Sequence, residues 1–173
     1  HYKNRINDKN SISSNSVSSI TETSNGDIWF ATDRGGICKY NSKENNFRTV
    51  SLAEGLPDDT AYKIVEDKNG YLWFGTNSGL VQFDPQDFTI ETYSTDNGLP
   101  SNSFSYKSAL ASSTGELFFG TLEGLISFFP EKLEQNSFIP PVYITYINHR
   151  NDVSSGELYD KGGKGSYLQT KQI

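Results

Sequence analysis

The sequence predicts an all-β protein, a partial β-propeller of three four-stranded blades with the last one incomplete, followed by the start of a second β-domain. Three observations lead there. A set of motifs recurs in register, each period holds four strand signals separated by turn residues, and one strand of every period is apolar at consecutive positions.

The repeat comes first, because a fixed period decides the architecture. Ser14-Asn15-Ser16-Val17 returns as Asp58-Asp59-Thr60-Ala61 and as Ser101-Asn102-Ser103-Phe104, at spacings of 44 and 43 residues. Asn25-Gly26-Asp27-Ile28-Trp29-Phe30-Ala31-Thr32 returns as Asn69-Gly70-Tyr71-Leu72-Trp73-Phe74-Gly75-Thr76 and as Thr114-Gly115-Glu116-Leu117-Phe118-Phe119-Gly120-Thr121. A third landmark follows each time, at Gly36-Ile37-Cys38-Lys39-Tyr40, Gly79-Leu80-Val81-Gln82-Phe83 and Gly124-Leu125-Ile126-Ser127-Phe128.

Within the middle period the strands are expected at 62–66, 71–76, 80–84 and 88–93. Asn69-Gly70 supplies the positive φ angles of a tight hairpin between the first two. Ile28-Trp29-Phe30, Leu72-Trp73-Phe74 and Leu117-Phe118-Phe119 are apolar without alternation, so both faces of that strand must be covered. The fourth strand alternates, as an edge strand with one wet face does. A small sheet cannot cover both of its own faces, so the units must stack on one another as blades, and the Trp and Phe residues read as inter-blade core.

The boundaries follow. Residues 1–11 read as the last strand and exit loop of a preceding blade, 12–55 and 56–98 as blades, and 99–130 as a terminal blade without its fourth strand. Residues 131–141 form a linker stiffened by Pro140-Pro141, and 142–173 begin the second β-domain with the alternating run Val142-Tyr143-Ile144-Thr145-Tyr146-Ile147. With no Met and a start inside a repeat, the chain reads as a piece of a longer protein. Three blades cannot close a ring, since propellers have roughly four to eight. The fragment is therefore expected to expose two apolar inter-blade faces and to self-associate, for instance as two copies building a six-blade ring.

Composition agrees and excludes. Of 173 residues 13% are aromatic and 15 are Gly, which favours sheets and turns. A net charge of −6 offers no basic surface for nucleic acid or for an anionic membrane. The single Cys38 rules out an internal disulfide and reads as a small buried hydrophobe.

Catalytic constellations fail one by one. The two histidines, His1 and His149, have no evident Ser, Cys or carboxylate partner for nucleophilic chemistry. No paired His or Cys spacing suits a metal, and the Asp-Asn-Gly runs lack the calcium-hand loop. The 21 acidic residues sit mostly in turns, where solvated carboxylates are the ordinary reading against a glycosidase pair. The Ser-x-Asp-x-Gly-x-Thr-Trp box of propeller sialidases is missing. No catalytic residue, metal or cofactor is assigned.

Binding is a different matter, because a propeller presents ligands to one rim. The rim loops here are 32–35, 77–78 and 122–123 together with the crossovers 54–59 and 96–102. Asp33 and Arg34 are the candidate ligand-binding pair, since donors beside a carboxylate suit sugar hydroxyls or a uronate. A plain surface ion pair is the competing reading.

The pieces Gly98-Leu99-Pro100-Ser101-Asn102-Ser103, Asn69-Gly70-Tyr71-Leu72-Trp73-Phe74-Gly75-Thr76 and Gly35-Gly36-Ile37 resemble the two-component regulator propeller repeats of periplasmic sensor regions in hybrid two-component systems. Residues 98–128 resemble that family's final blade. Pro140-Pro141-Val142-Tyr143-Ile144-Thr145 resembles the beginning of the Tyr-rich immunoglobulin-like sandwich that follows it. The resemblance implies a periplasmic location, with the propeller held by an inner-membrane protein, and a sensor of oligosaccharides that regulates carbohydrate-utilisation genes. It also implies a cytoplasmic histidine kinase, receiver and DNA-binding domain that this segment does not contain, so no kinase activity falls to these residues. The alternative is a propeller scaffold for protein contacts without small-molecule sensing.

Overall fold

The computed structural model describes residues 1–133. The chain divides into two compact units, His1–Glu134 and Gln135–Ile173. The immunoglobulin-like assignment of 142–173 and all but the first residues of the linker lie outside the described part.

Three antiparallel sheets follow one another along the chain. The first contains β1 (Val17–Glu22), β2 (Ile28–Thr32), β3 (Ile37–Asn41) and β4 (Asn46–Val50), in that spatial order. The second repeats it with β5 (Val65–Glu66), β6 (Leu72–Gly75), β7 (Leu80–Phe83) and β8 (Ile90–Tyr93). The third has β9 (Phe104–Ala111), β10 (Leu117–Thr121) and β11 (Gly124–Phe128), and a 3-10 turn at Pro130–Lys132 follows. No fourth strand joins this sheet among the described residues. Each sheet is an up-and-down meander and the fold is all-β, a partial propeller.

Alternate faces of each blade feed two cores, which explains the apolar runs. Trp29 and Ile37 of the first blade pack with Ile64, Leu72, Phe74 and Val81 of the second in one buried layer. Trp73, Leu80 and Val65 turn the other way and pack with Phe104, Leu117 and Phe119 of the third. Neighbouring residues such as Trp73 and Phe74 thus lie in different layers, and burying each large side chain contributes about 1.5–3 kcal/mol. Edge-on ring contacts add direction, with Trp29 at 5.3 Å from Phe83 and Trp73 at 5.1 Å from Phe128.

Polar seams run beside the cores. Ser19 Oγ donates to the Tyr62 carbonyl at 3.1 Å and accepts from the Ile64 amide at 3.2 Å, while Thr21 Oγ1 donates to the Ile64 carbonyl at 2.9 Å. Ser24 donates its amide and hydroxyl to the two Glu66 oxygens at 2.7 and 2.8 Å. Side chains of one inner strand thus satisfy the backbone of the next.

Several strand bounds differ from expectation. The inner strand of the second blade forms ladder pairs only at Val65–Glu66; ahead of them the Tyr62 amide still donates to the Gly75 carbonyl at 3.0 Å, while the amide and carbonyl of Ile64 bond to Ser19 and Thr21 of the first blade. The outer strand begins at Ile90 instead of Phe88, since Phe88 has φ +65° and leaves the extended region. The two extra residues of the third repeat are absorbed by a register shift against β10, with Lys107 at φ +62°. Residues 1–16 carry no strand. Tyr2 folds instead onto the first blade, its ring 5.2 Å from Phe47 and its hydroxyl 2.6 Å from Asn45 Oδ1.

Candidate ligand-binding rim

The crossover from one blade to the next is a short 3-10 turn fixed at both ends. In Leu52–Glu54, Ser51 Oγ accepts from the Ala53 amide and the Glu54 carboxylate accepts from the Ser51 amide at 2.7 Å. Thr95–Asn97 repeats this with Ser94 and Asn97. Asp59 Oδ1 and Asn102 Oδ1 then hold the turns by accepting from Leu52 and Thr95 amides, both at 2.7 Å. The Asp59 carbonyl in turn accepts from the amides of Gly35 and Gly36 at 2.9 and 2.6 Å. A crossover loop is thereby tied to the β2–β3 loop of the preceding blade. Gly36 is required there, since its φ is +66° and an added Cβ would overlap the Val50 carbonyl.

This tie brings rim residues together. Asp58, one residue before the anchored Asp59, accepts from the Thr60 amide at 2.6 Å and from Asn77 Nδ2 at 3.4 Å. Tyr62, at the start of the next inner segment, donates its hydroxyl to Asn77 Oδ1 at 2.6 Å. Its ring meets exposed Tyr106 of the third blade edge-on at 5.9 Å, and the Lys107 ammonium stands 5.2 Å from the Tyr106 ring centre. The Tyr62 phenol is pushed above its ordinary pKa, first by burial and then by the negative charge of Asp58 and Asp33. Asp33 therefore belongs to the field of the same cluster.

The predicted pair itself is loosely joined. Asp33 Oδ2 and one guanidinium nitrogen of Arg34 lie 3.6 Å apart, with Arg34 exposed and at φ +59°. No two-pronged fork forms, and an exposed pair at this separation is worth little energy. The charge of Asp33 is felt at the Tyr62 phenol, and Arg34 meets Asp33 only in this loose pair. Asp58 and Asn77 fall in loops the sequence places on the rim. The sequence reading singled out neither tyrosine, although both follow a crossover at the start of an inner segment, and that recurrence is the signal for them.

The arrangement offers two carboxylates, an amide, a phenol and a half-exposed aromatic ring on one rim. Among the described residues no three His, Cys, Asp or Glu side chains converge in a way that could hold a metal. No described helix is long and apolar enough to cross a membrane. A larger cleft of about 740 Å³ lies between the N-terminal segment and β4, lined by residues such as Asn7, Lys9, Arg48 and Glu54. Its only ring, Phe47, is buried, so it presents no aromatic platform.

The fold has close structural counterparts. The chain is 30% identical to a protein described as the extracellular domain of hybrid two component system BT3049 from B. thetaiotaomicron, with a TM-score of 0.67 over 83% of this chain and 20% of that one. PorZ, a bacterial surface component of the type-IX secretion system of Porphyromonas gingivalis, shares the fold at 24% identity and a TM-score of 0.55, over 74% of this chain and 19% of that one. The chain therefore spans about a fifth of the length of these solved structures. No curated protein matches it by sequence. Residues 11–34 and 55–78, within the first two blades, match the family described as two component regulator propeller.

Proposed function

We propose that this chain is part of the extracellular, periplasmic ligand-sensing region of a hybrid two-component signalling protein, and that the rim around Asp33, Asp58, Tyr62, Asn77 and Tyr106 binds an oligosaccharide. The location and the signalling role draw support from the similarity to an extracellular domain of such a system. The ligand class draws support from the Tyr62–Tyr106 pair beside Asp58 and Asn77. An exposed ring face takes the apolar side of a sugar, while carboxylates and amides take its hydroxyls. Arg34 serves as an additional donor at the edge.

The single observation carrying this reading is the convergence of Asp58 and Tyr62, from one crossover segment, with Asn77 of the next loop, beside the exposed ring of Tyr106. Isothermal titration of the chain with cello-, xylo- and mannotetraose is the test. Binding of at least one, weakened about tenfold or more by Tyr106→Ala through loss of about 1.4 kcal/mol or more, is the expected result. Absence of heat with every one of the three sugars overturns the ligand assignment.

A further inference from the structure

The sequence holds three Asn-Gly pairs, Asn25-Gly26, Asn69-Gly70 and Asn97-Gly98. An asparagine before glycine is open to attack on its own carboxamide, because no Cβ on the glycine hinders the approach of its amide nitrogen to the side-chain carbonyl carbon. The three pairs share one backbone geometry. Their glycines have φ of +85°, +88° and +91°, and their amides donate to the carbonyls of Thr23 at 2.8 Å, Asp67 at 3.1 Å and Thr95 at 3.0 Å. All three asparagines are exposed, and a Cβ on any of these glycines would meet open space.

The pairs differ in what holds the carboxamide. Asn25 Oδ1 accepts from the Thr23 hydroxyl at 2.7 Å and the Asp27 amide at 3.0 Å, and its Nδ2 donates to Asp27 Oδ2 at 3.1 Å. Asn97 Oδ1 accepts from the amide and hydroxyl of Ser94 at 2.9 and 3.4 Å. Asn69 donates its backbone amide to Asp67 Oδ1, but no hydrogen bond holds its carboxamide among the described residues. Its hairpin belongs to the second blade, which has a packed neighbour on each side.

We propose that Asn69 is a site of spontaneous modification, converted to isoaspartate and aspartate while hydrogen bonds protect Asn25 and Asn97. The Gly70 amide nitrogen loses its proton to hydroxide and forms a bond to Asn69 Cγ. The side-chain nitrogen leaves as ammonia, and a cyclic imide remains. Water opens the imide at one carbonyl or the other and restores the Gly70 N–H, leaving aspartate or isoaspartate. Nothing is oxidised or reduced, and water is the only co-reactant.

The place of this turn gives the product a consequence. Isoaspartate adds a carbon to the main chain between residues 69 and 70. Asp67 accepts there from the amides of Asn69 and Tyr71 and from the Trp73 indole, and the Lys68 ammonium donates to the Thr114 carbonyl of the third blade. A lengthened turn disturbs these bonds together, so modification weakens the second blade and its contact with the third. The inference does not depend on what the rim binds.

The folded 173-residue chain is incubated at mildly alkaline pH, and peptide mass spectrometry follows conversion at each site. Asn69 is expected to convert about fivefold or more faster than Asn25 and Asn97, the factor that one retained hydrogen bond supplies. In concentrated urea the protecting bonds are gone, and the three rates converge. Equal rates in the folded chain overturn the proposal. So does a ranking that persists unchanged in urea, which assigns it to the flanking residues and not to the fold. The deamidated fraction, separated by ion exchange, is expected to unfold at lower urea than a freshly prepared Asn69→Asp chain, which has the same charge and a turn of normal length. Equal midpoints overturn the consequence for the blade.

Discussion

The indole Nε1 of Trp73 donates to Asp67 Oδ2 at 2.8 Å, whereas Nε1 of Trp29, the same position one blade earlier, has no hydrogen-bond partner among the described residues. The cause is one residue. Thr23 stands where Asp67 stands, and its hydroxyl is turned to the Asp27 carbonyl and Asn25 within its own hairpin. Asp67 serves both purposes, because its other oxygen accepts from the amides of Asn69 and Tyr71 at 2.8 and 3.0 Å. Replacing Asp67 by Ala leaves a buried indole N–H unpaired and loosens the hairpin, at a cost of about 1–3 kcal/mol in urea unfolding. Thr23→Ala costs less, since no indole depends on it.

Phe88 predicts an inverted ranking of two small residues. Its backbone is left-handed, while its ring packs at 5.3 Å from Phe83 and beneath the Arg48 guanidinium at 3.4 Å. Phe88→Ala removes the ring and keeps the strained backbone; Phe88→Gly removes both. The Gly variant is therefore expected to be more stable than the Ala variant by about 1 kcal/mol. Parallel denaturant titrations of the two variants check the order.

Gly75 makes room for a partner in the next blade. A Cβ there would overlap Cβ and Cγ of Phe104, whereas the first junction has Ala31 and Ala61 at the two corresponding positions. Gly75→Ala is expected to destabilise by about 1–3 kcal/mol through overpacking. The double variant Gly75→Ala with Phe104→Ala loses less than the two single losses combined, and a double-mutant cycle measures the difference.

Tyr93 sets a limit at high pH. Burial and then the charge of Glu91 push its phenol up to about 12. The folded state therefore holds this proton more tightly than the unfolded chain, whose tyrosines titrate at about 10. The stability from this group is complete below pH of about 10 and is lost as pH rises through the folded value of about 12. The unfolding midpoint should fall over that interval, and less steeply in Tyr93→Phe.

The blades were legible because their chemistry is local and recurrent. Ile28-Trp29-Phe30 and its two copies announce a strand covered on both faces, and the layers that hold Trp29, Trp73 and Phe119 follow from that alone. The cluster around Asp33 was only half legible. Asp58 and Asn77 lie in loops a propeller places on its rim, but the Asn77 amide joins Asp58 and the Tyr62 hydroxyl across 19 and 15 residues of sequence, and no periodicity encodes it. The positive φ of Phe88 was hidden by residue type. Its counterpart Asn45, at φ +55°, is an ordinary left-handed residue, so aligning the two turns was the available clue.

Cys38 is the one thiol in the chain. It is fully buried against Ile12 and Phe47, touches Ser13 Oγ at 3.2 Å, and is raised in pKa by burial. Alkylating reagents need an exposed thiolate, so labelling waits for the first blade to open. The molecule thus carries its own clock for that motion, and a thiol-trapping time course reads how often this blade comes apart without any probe having to be introduced.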